Sequence, residues 1–213
     1  MVGLTALLPN TKTVLLQLSQ SDLLQNFTFV GGSALAVHFG HRLSEDIDLF
    51  SWKKELDIAE IQRVLASYQF QEIRTINLNK LQCNYIINGV KVSFFANNWE
   101  ELKDAELLIG NLKIAKLNLL CIMKINTLFL RAKFRDYYDL YVLNKQFYTI
   151  EEMYGLAAPK LNNLSKALFQ KALVFIEDIQ DENILHLNPK YDISLLKIAK
   201  HFSEEIKKWN KSL

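Results

Sequence analysis

The sequence predicts an α+β protein with α/β-like character: a small mixed-sheet domain over residues 1–115 and a C-terminal helical bundle over residues 116–213. Three observations carry that reading. Short apolar runs alternate with amphipathic helical stretches through the first half. Asn88-Gly89 joins two strand-like runs with the residues that a type I′ hairpin demands. After Trp99 the character changes, and from Asn118 onward apolar residues recur at helical spacing.

Taken in order, residues 11–25 have helical periodicity through Val14, Leu15, Leu18, Leu23 and Leu24, and residues 27–30 read as a short buried strand. A short helix is expected to begin at Ser33, an N-cap type of residue, and to stop at Gly40. Residues 47–52 form the next strand, and residues 57–68 an amphipathic helix with Ile58, Ile61, Val64 and Leu65 on one side. Strands over 71–77, 83–87 and 90–96 follow, with one more short strand over 112–115. Helices over 119–143, 150–158, 164–179 and 193–209 complete the chain.

At 213 residues there is length for a substantial core, and seven Gly and three Pro leave little room for flexible linkers. The formal charge of +2 does not by itself imply a nucleic-acid partner. Cys83 and Cys121 are isolated, which argues against a zinc site and against a disulfide framework. The opening residues lack the charged start and long apolar run of a signal peptide, and the apolar run 117–130 is too short to span a bilayer. A cytoplasmic protein without a membrane partner is expected.

The chemistry concentrates in two places. An apolar run ends in Gly31-Gly32-Ser33, and Asp46-Ile47-Asp48 follows shortly after. In a strand, residues i and i+2 share a face, so Asp46 and Asp48 present two carboxylates side by side. They repel unless a cation lies between them, and oxygen ligands of this kind suit Mg²⁺ (or Mn²⁺) shared with substrate phosphates. Gly31, Gly32 and Ser33 at a strand-to-helix junction supply backbone N–H groups for an anion. Together they describe a site for a metal-bound nucleoside triphosphate. Arg42 is placed to meet a phosphate or one of the acids, while His38 is expected to pack on its helix.

The second place is Lys124, a lone cation in the apolar run 119–125. A buried ammonium needs an anion or a route to solvent. On a continuous helix, Lys124, Leu128, Arg131 and Arg135 fall on one stripe with Asp139 at its edge, a rail for a triphosphate or a nucleic-acid backbone. The alternative is a solvated basic face with an Arg135–Asp139 pair. Tyr137, Tyr138 and Tyr141 are expected to pack in a core or interface, and the Lys-rich C-terminal tail reads as the solvated end of a helix.

The run Gly40-His41-Arg42-Leu43-Ser44-Glu45-Asp46-Ile47-Asp48-Leu49-Phe50, after Gly-Gly-Ser, resembles the first motif of nucleotidyltransferase-fold toxins of the AbiEii/AbiGii type. Ile122-Met123-Lys124 and the run from Arg131 to Leu140 resemble that family's Met-Lys and Arg-Asp-x-x-Asp-Leu helix. The resemblance implies a nucleotidyltransferase acting on nucleoside triphosphates with Mg²⁺, in a type IV toxin–antitoxin or phage-defence setting. It also implies a cognate antitoxin partner and an RNA acceptor such as a tRNA 3′ end, or a protein hydroxyl. It assigns Gly32 and Ser33 to the phosphates, Asp46 and Asp48 to the metal and Lys124 to the triphosphate, with Asp136 or Asp139 completing the site. One departure is visible: Ser93 stands on the later strand where many polymerase-like relatives carry a third carboxylate. That leaves two alternatives open, a catalytically silent nucleotide- or RNA-binding protein and a kinase-like phosphoryl transferase on the same scaffold.

Overall fold

The computed structural model of the chain describes residues 3–180 and 182–211. Two compact units emerge, one ending at Leu119 and the other beginning at Leu120.

The N-terminal unit is built on a mixed sheet. Helix α1 (Pro9–Leu18) starts with proline at its first turn, where the missing N–H costs nothing. The first strands and helices then run β1 (Thr28–Val30), α2 (Gly31–Phe39), β2 (Ile47–Ser51) and α3 (Ile58–Ser67). Strands β3 (Ile73–Leu78), β4 (Gln82–Ile87), β5 (Val90–Ala96), β6 (Ala105–Ile109) and β7 (Leu112–Ala115) complete it. The strand order is β3-β4-β5-β2-β1-β7-β6, with β2–β5 and β1–β7 parallel and the other pairs antiparallel. Phe29, Leu49, Val92, Phe94 and Tyr85 are buried on one face of its central strands, and Phe27 and Tyr85 meet the Phe94 ring edge-on. The hairpin reads as expected: Asn88 and Gly89 both have positive φ, at 50° and 77°.

The C-terminal unit holds most of α4 (Leu117–Leu130), then α5 (Phe134–Gln146), α6 (Ile150–Ala157), α7 (Lys166–Val174) and α8 (Leu195–Lys211). Thr149 and Ser165 cap α6 and α7 through their hydroxyls. Helix α8 packs against α5, α6 and α7, burying Leu195, Ile198, Ala199, Phe202 and Trp209.

Three expectations are corrected and one strand is added. The helix expected over 11–25 stops at Leu18, and a 3₁₀ segment over Asp22–Asn26 follows; Ser21 accepts the Leu23 N–H and diverts the backbone. Ser33 does not cap α2, which begins two residues earlier at Gly31 with Val30 as its N-cap. Strand β6 went unread because Glu106 and the exposed Leu107 break its apolar alternation. The long helix expected over 119–143 is two helices. Arg131 and Ala132 close α4 by donating to Thr127 O, Lys133 turns extended, and its N–H donates to the Asp136 carboxylate at 3.1 Å. An acid at the third helical position reaching back to the N-cap backbone starts a new helix. The stripe of Lys124, Arg131 and Arg135 on a single helix therefore does not exist.

Candidate active site

Strand β1 is wholly buried and delivers the chain to Gly31. There φ is +77°, and a Cβ would stand 2.6 Å from Asp48 Oδ2. Both facts demand glycine: the backbone is in the left-handed region, and the Asp48 carboxylate occupies the space of a side chain. Val30 pairs directly with Asp48 across the β1–β2 ladder, which fixes that approach. Gly31, Gly32 and Ser33 then form the first turn of α2, whose N–H groups have no partner within the helix.

Ser33 is buried, and its hydroxyl donates to Asp46 O. Its single proton being spent there, the 2.7 Å contact with Ser44 Oγ is one in which Ser44 donates. Ser44 Oγ in turn accepts from Arg42 Nη1 at 3.2 Å, and the same nitrogen donates to Leu43 O at 3.1 Å. A directed chain thus runs from Arg42 through Ser44 and Ser33 to the backbone of Asp46. Ser44 was not singled out from sequence; it is a small polar residue among polar neighbours, and only its burial marks it. Residues 6–8 bond to Ser44 through both backbone groups, and Thr11 Oγ1 donates to Glu45 O at 2.9 Å, so the segment before β2 is held from both sides.

From residue 46 to 51, half-buried and buried positions alternate: Asp46, Asp48 and Phe50 against Ile47, Leu49 and Ser51. The two carboxylates therefore share the face opposite Ile47 and Leu49. Ser93 lies level with Asp48 on β5, and Asn84 level with Ser93 on β4. Level residues point the same way, so Asp48, Ser93 and Asn84 form a polar row across the sheet, and Ser93 and Asn84 are both buried. Asn84 is a site-face residue that the sequence reading passed over. The signal was present, since a two-residue hairpin pairs positions equidistant from Asn88-Gly89.

In the C-terminal unit, Lys124 is 7% exposed and its ammonium bonds two carboxylates, Asp136 Oδ1 at 2.9 Å and Asp139 Oδ2 at 2.8 Å. Asp136 divides its oxygens between Lys124 and the Lys133 N–H, with Arg131 Nη2 a further 4.0 Å from Oδ1. Lys124 and both acids are buried, so the triad anchors α4 to the start of α5. Arg135 pairs with Glu182 at 3.3 Å. Tyr137, Tyr138 and Tyr141 are core residues; burial, with the Asp136 charge adding to it, pushes the Tyr137 hydroxyl up to about 12.

The donor chemistry fits a hard divalent cation. Asp46 and Asp48 offer oxygen only, are half-buried, and border a helix start able to take phosphates. Among the described residues no cluster of three His, Cys, Asp or Glu groups could hold a metal by itself. Mg²⁺, which keeps water and substrate phosphates as ligands, suits a two-carboxylate site better than a cation that needs a full protein cage.

Residues 13–94 match the family model of the nucleotidyl transferase AbiEii toxin of type IV toxin–antitoxin systems. This segment is AbiEii-like. The AbiEii match contains Gly31, Asp46, Asp48 and Ser93 and ends before Lys124. Over nearly its whole length the chain is also 25% identical to an uncharacterised Aquifex aeolicus protein, aq_aa25, covering 86% of this chain and 88% of that one. Among solved structures, a candidate nucleotidyltransferase of H. pylori superposes with a TM-score of 0.61 at 18% identity, covering 97% of each chain. MenT4, a nucleotidyltransferase toxin of Mycobacterium tuberculosis, gives 0.57 at 14% identity over 93% of this chain and 84% of its own. JHP933 of Helicobacter pylori gives 0.52 at 17% identity, covering 100% and 97%. These likenesses are of fold: an α+β nucleotidyltransferase architecture with a mixed sheet of seven strands.

Proposed function

We propose that the chain is a Mg²⁺-dependent nucleotidyltransferase in which a hydroxyl of an RNA, such as a tRNA 3′ end, attacks the α-phosphorus of a nucleoside triphosphate, takes the nucleoside monophosphate and releases pyrophosphate, as the toxin of a toxin–antitoxin pair. The single observation that carries this is the seating of the Asp48 carboxylate against a side-chain-free Gly31 at the start of α2, with Asp46 on the same face. That arrangement puts anionic oxygens beside a helix start whose N–H groups favour phosphate, a juxtaposition a triphosphate tolerates only with a cation between. The AbiEii match to the same residues supports the reading.

In this account the backbone N–H groups of Gly31, Gly32 and Ser33 orient the phosphates, and Asp46 and Asp48 hold the cation. When bound, Mg²⁺ neutralises charge developing on the phosphates. The chain from Arg42 through Ser44 and Ser33 fixes the backbone at Asp46, so the two carboxylates are placed before substrate arrives. Within the C-terminal unit, Lys124, Asp136 and Asp139 hold one another, with Arg131 as a more exposed cation beside Asp136. A cognate antitoxin is the expected protein partner. No helix among the described residues is long and apolar enough to cross a membrane.

Ser93, level with Asp48, favours a second reading: a nucleotide- or RNA-binding protein without turnover. Incubation with α- and γ-labelled triphosphates and total tRNA separates the readings. Transfer of α-label alone supports nucleotidyl transfer. Transfer of γ-label alone indicates a kinase-like reaction, and binding without either label indicates the silent protein.

A further inference from the structure

Helix α8 carries a feature that the active-site reading does not use. At about 100° per residue, Lys197, Lys200, Lys207, Lys208 and Lys211 fall in a sector of about 100°, with Glu204 the remaining residue in it. All five lysines are exposed. The buried residues Leu195, Ile198, Ala199, Phe202 and Trp209 centre about 180° away. From Lys197 to Lys211 the row runs about 21 Å along the helix. Lys208 is paired with Glu205, and Lys197, Lys200, Lys207 and Lys211 make no ion pair among the described residues.

The C-terminal turn is held in place rather than left to fray. Gln170 Nε2 donates to Asn210 Oδ1 at 3.0 Å, and the Lys166 ammonium lies 4.0 Å from the centre of the Trp209 ring. Lysines in a free helix end would be ordinary solvated charge, whereas here they extend from a helix packed along its length. Five lysines against Glu204 and the Glu205 that pairs with Lys208 leave +3 on a single exposed face of a chain whose formal charge is +2 overall.

We infer that this exposed lysine row of α8 is a docking rail for the phosphate backbone of an RNA; the choice of RNA rests on the acceptor class proposed above. Charge complementarity selects the partner. A bilayer-binding helix inserts an apolar face, and the apolar face of α8 is already buried. Protein interfaces are depleted in lysine and need apolar anchors, which this sector does not offer. A line of cations, four of the five in no ion pair among the described residues, matches a line of phosphates, and such contacts position a nucleic acid without reading its bases.

The test is binding of a fluorescein-labelled tRNA to the full chain, followed by anisotropy between 50 and 200 mM KCl with no triphosphate present. Replacing Lys197, Lys200, Lys207 and Lys211 by Gln is expected to reduce the salt slope, log K against log[KCl], by about 3 and to weaken binding at 50 mM at least ~10-fold. A control removing equal charge elsewhere, Lys53, Lys54, Lys80 and Lys190 to Gln, is expected to change affinity less than ~3-fold. Circular dichroism checks folding; if the quadruple variant loses helix, the pairs Lys197/Lys200 and Lys207/Lys211 are tested separately, each expected to give about half the change in slope. Unchanged tRNA binding by the rail variants, an equal loss in the control, or no tRNA binding by the wild type overturns the rail. The active-site reading is scored separately. Asp48→Asn is expected to abolish α-label transfer while leaving tRNA affinity within ~2-fold, and α-label transfer to tRNA by rail variants that bind tRNA as the wild type does would leave that reading standing without the rail.

Discussion

Gly31 shows how one residue couples two motifs that are separate in sequence. Its positive φ and the Asp48 oxygen 2.6 Å from a would-be Cβ mean that Gly31→Ala must displace the carboxylate as well as strain the backbone. The backbone part alone costs about 1–2 kcal/mol. Urea denaturation is expected to show at least that loss, and calorimetry is expected to show weakened Mg-triphosphate binding; an alanine variant with wild-type stability and affinity would refute the close approach. Lys124 illustrates a different kind of constraint. Two buried carboxylates meet on one ammonium, so Lys124→Met removes the buried cation both of them bond and is expected to cost about 3–5 kcal/mol. Adding Asp139→Asn to that variant removes one of the two buried negative charges and should restore part of the stability, which a denaturation series on the single and double variants can read. The cysteines are constrained by burial alone. Desolvation pushes the Cys121 thiol up to about 12 and raises that of Cys83. Neither is expected to react with iodoacetamide at pH 8 in the native protein, and both should react in denaturant.

At the scale of elements, helix α8 and its neighbours set a pH dependence. His201 Nε2 lies 2.6 Å from Asn144 Oδ1, and since a carbonyl oxygen only accepts, that nitrogen carries the proton; the Asn144 amide donates onward to Tyr148 O. The Tyr141 ring covers the imidazole edge-on at 4.9 Å. Burial is the largest influence on His201 and lowers its pKa below the ordinary 6.5, with the Lys145 and Lys208 charges acting in the same direction and Glu205 and Glu204 opposing. In the unfolded chain His201 protonates first, so its stabilising contribution is complete above about pH 6.5 and is lost as pH falls from there through the folded pKa. Thermal melts between pH 7.5 and 5 should show a smaller acid-side loss for His201→Gln than for the wild type.

Elements also show what the sequence could and could not reveal. The hairpin at Asn88-Gly89, the strands around it and the Gly40 stop were legible because turn chemistry and period-2 alternation are local. The split of the long helix was not, because the apolar periodicity continues through Arg131-Ala132-Lys133 and the break depends on which way Asp136 turns. The Gly31–Asp48 contact was legible as a pair of motifs, but its geometry depends on the Val30–Asp48 register, which no single segment encodes. The sequence places Arg42 to meet a phosphate or one of the acids; its burial and its bond to Ser44 come from packing that the sequence does not display.

At the scale of the whole molecule, the chain has the fold of nucleotidyltransferases, with an AbiEii-like segment over residues 13–94. The proposed metal ligands lie in the N-terminal unit, while the Lys124 triad and the lysine row lie in the unit that begins at Leu120. The account assigns metal and phosphate to the first and RNA contacts to the second. Its central claim is that the Asp48 carboxylate supports nucleotidyl transfer. The most direct measurement is the rate of α-label incorporation into total tRNA in Mg²⁺, wild type beside Asp48→Asn. Transfer by the wild type that falls at least ~100-fold in the variant is the predicted result. Absence of transfer by the wild type, or equal rates in the two proteins, would contradict the account.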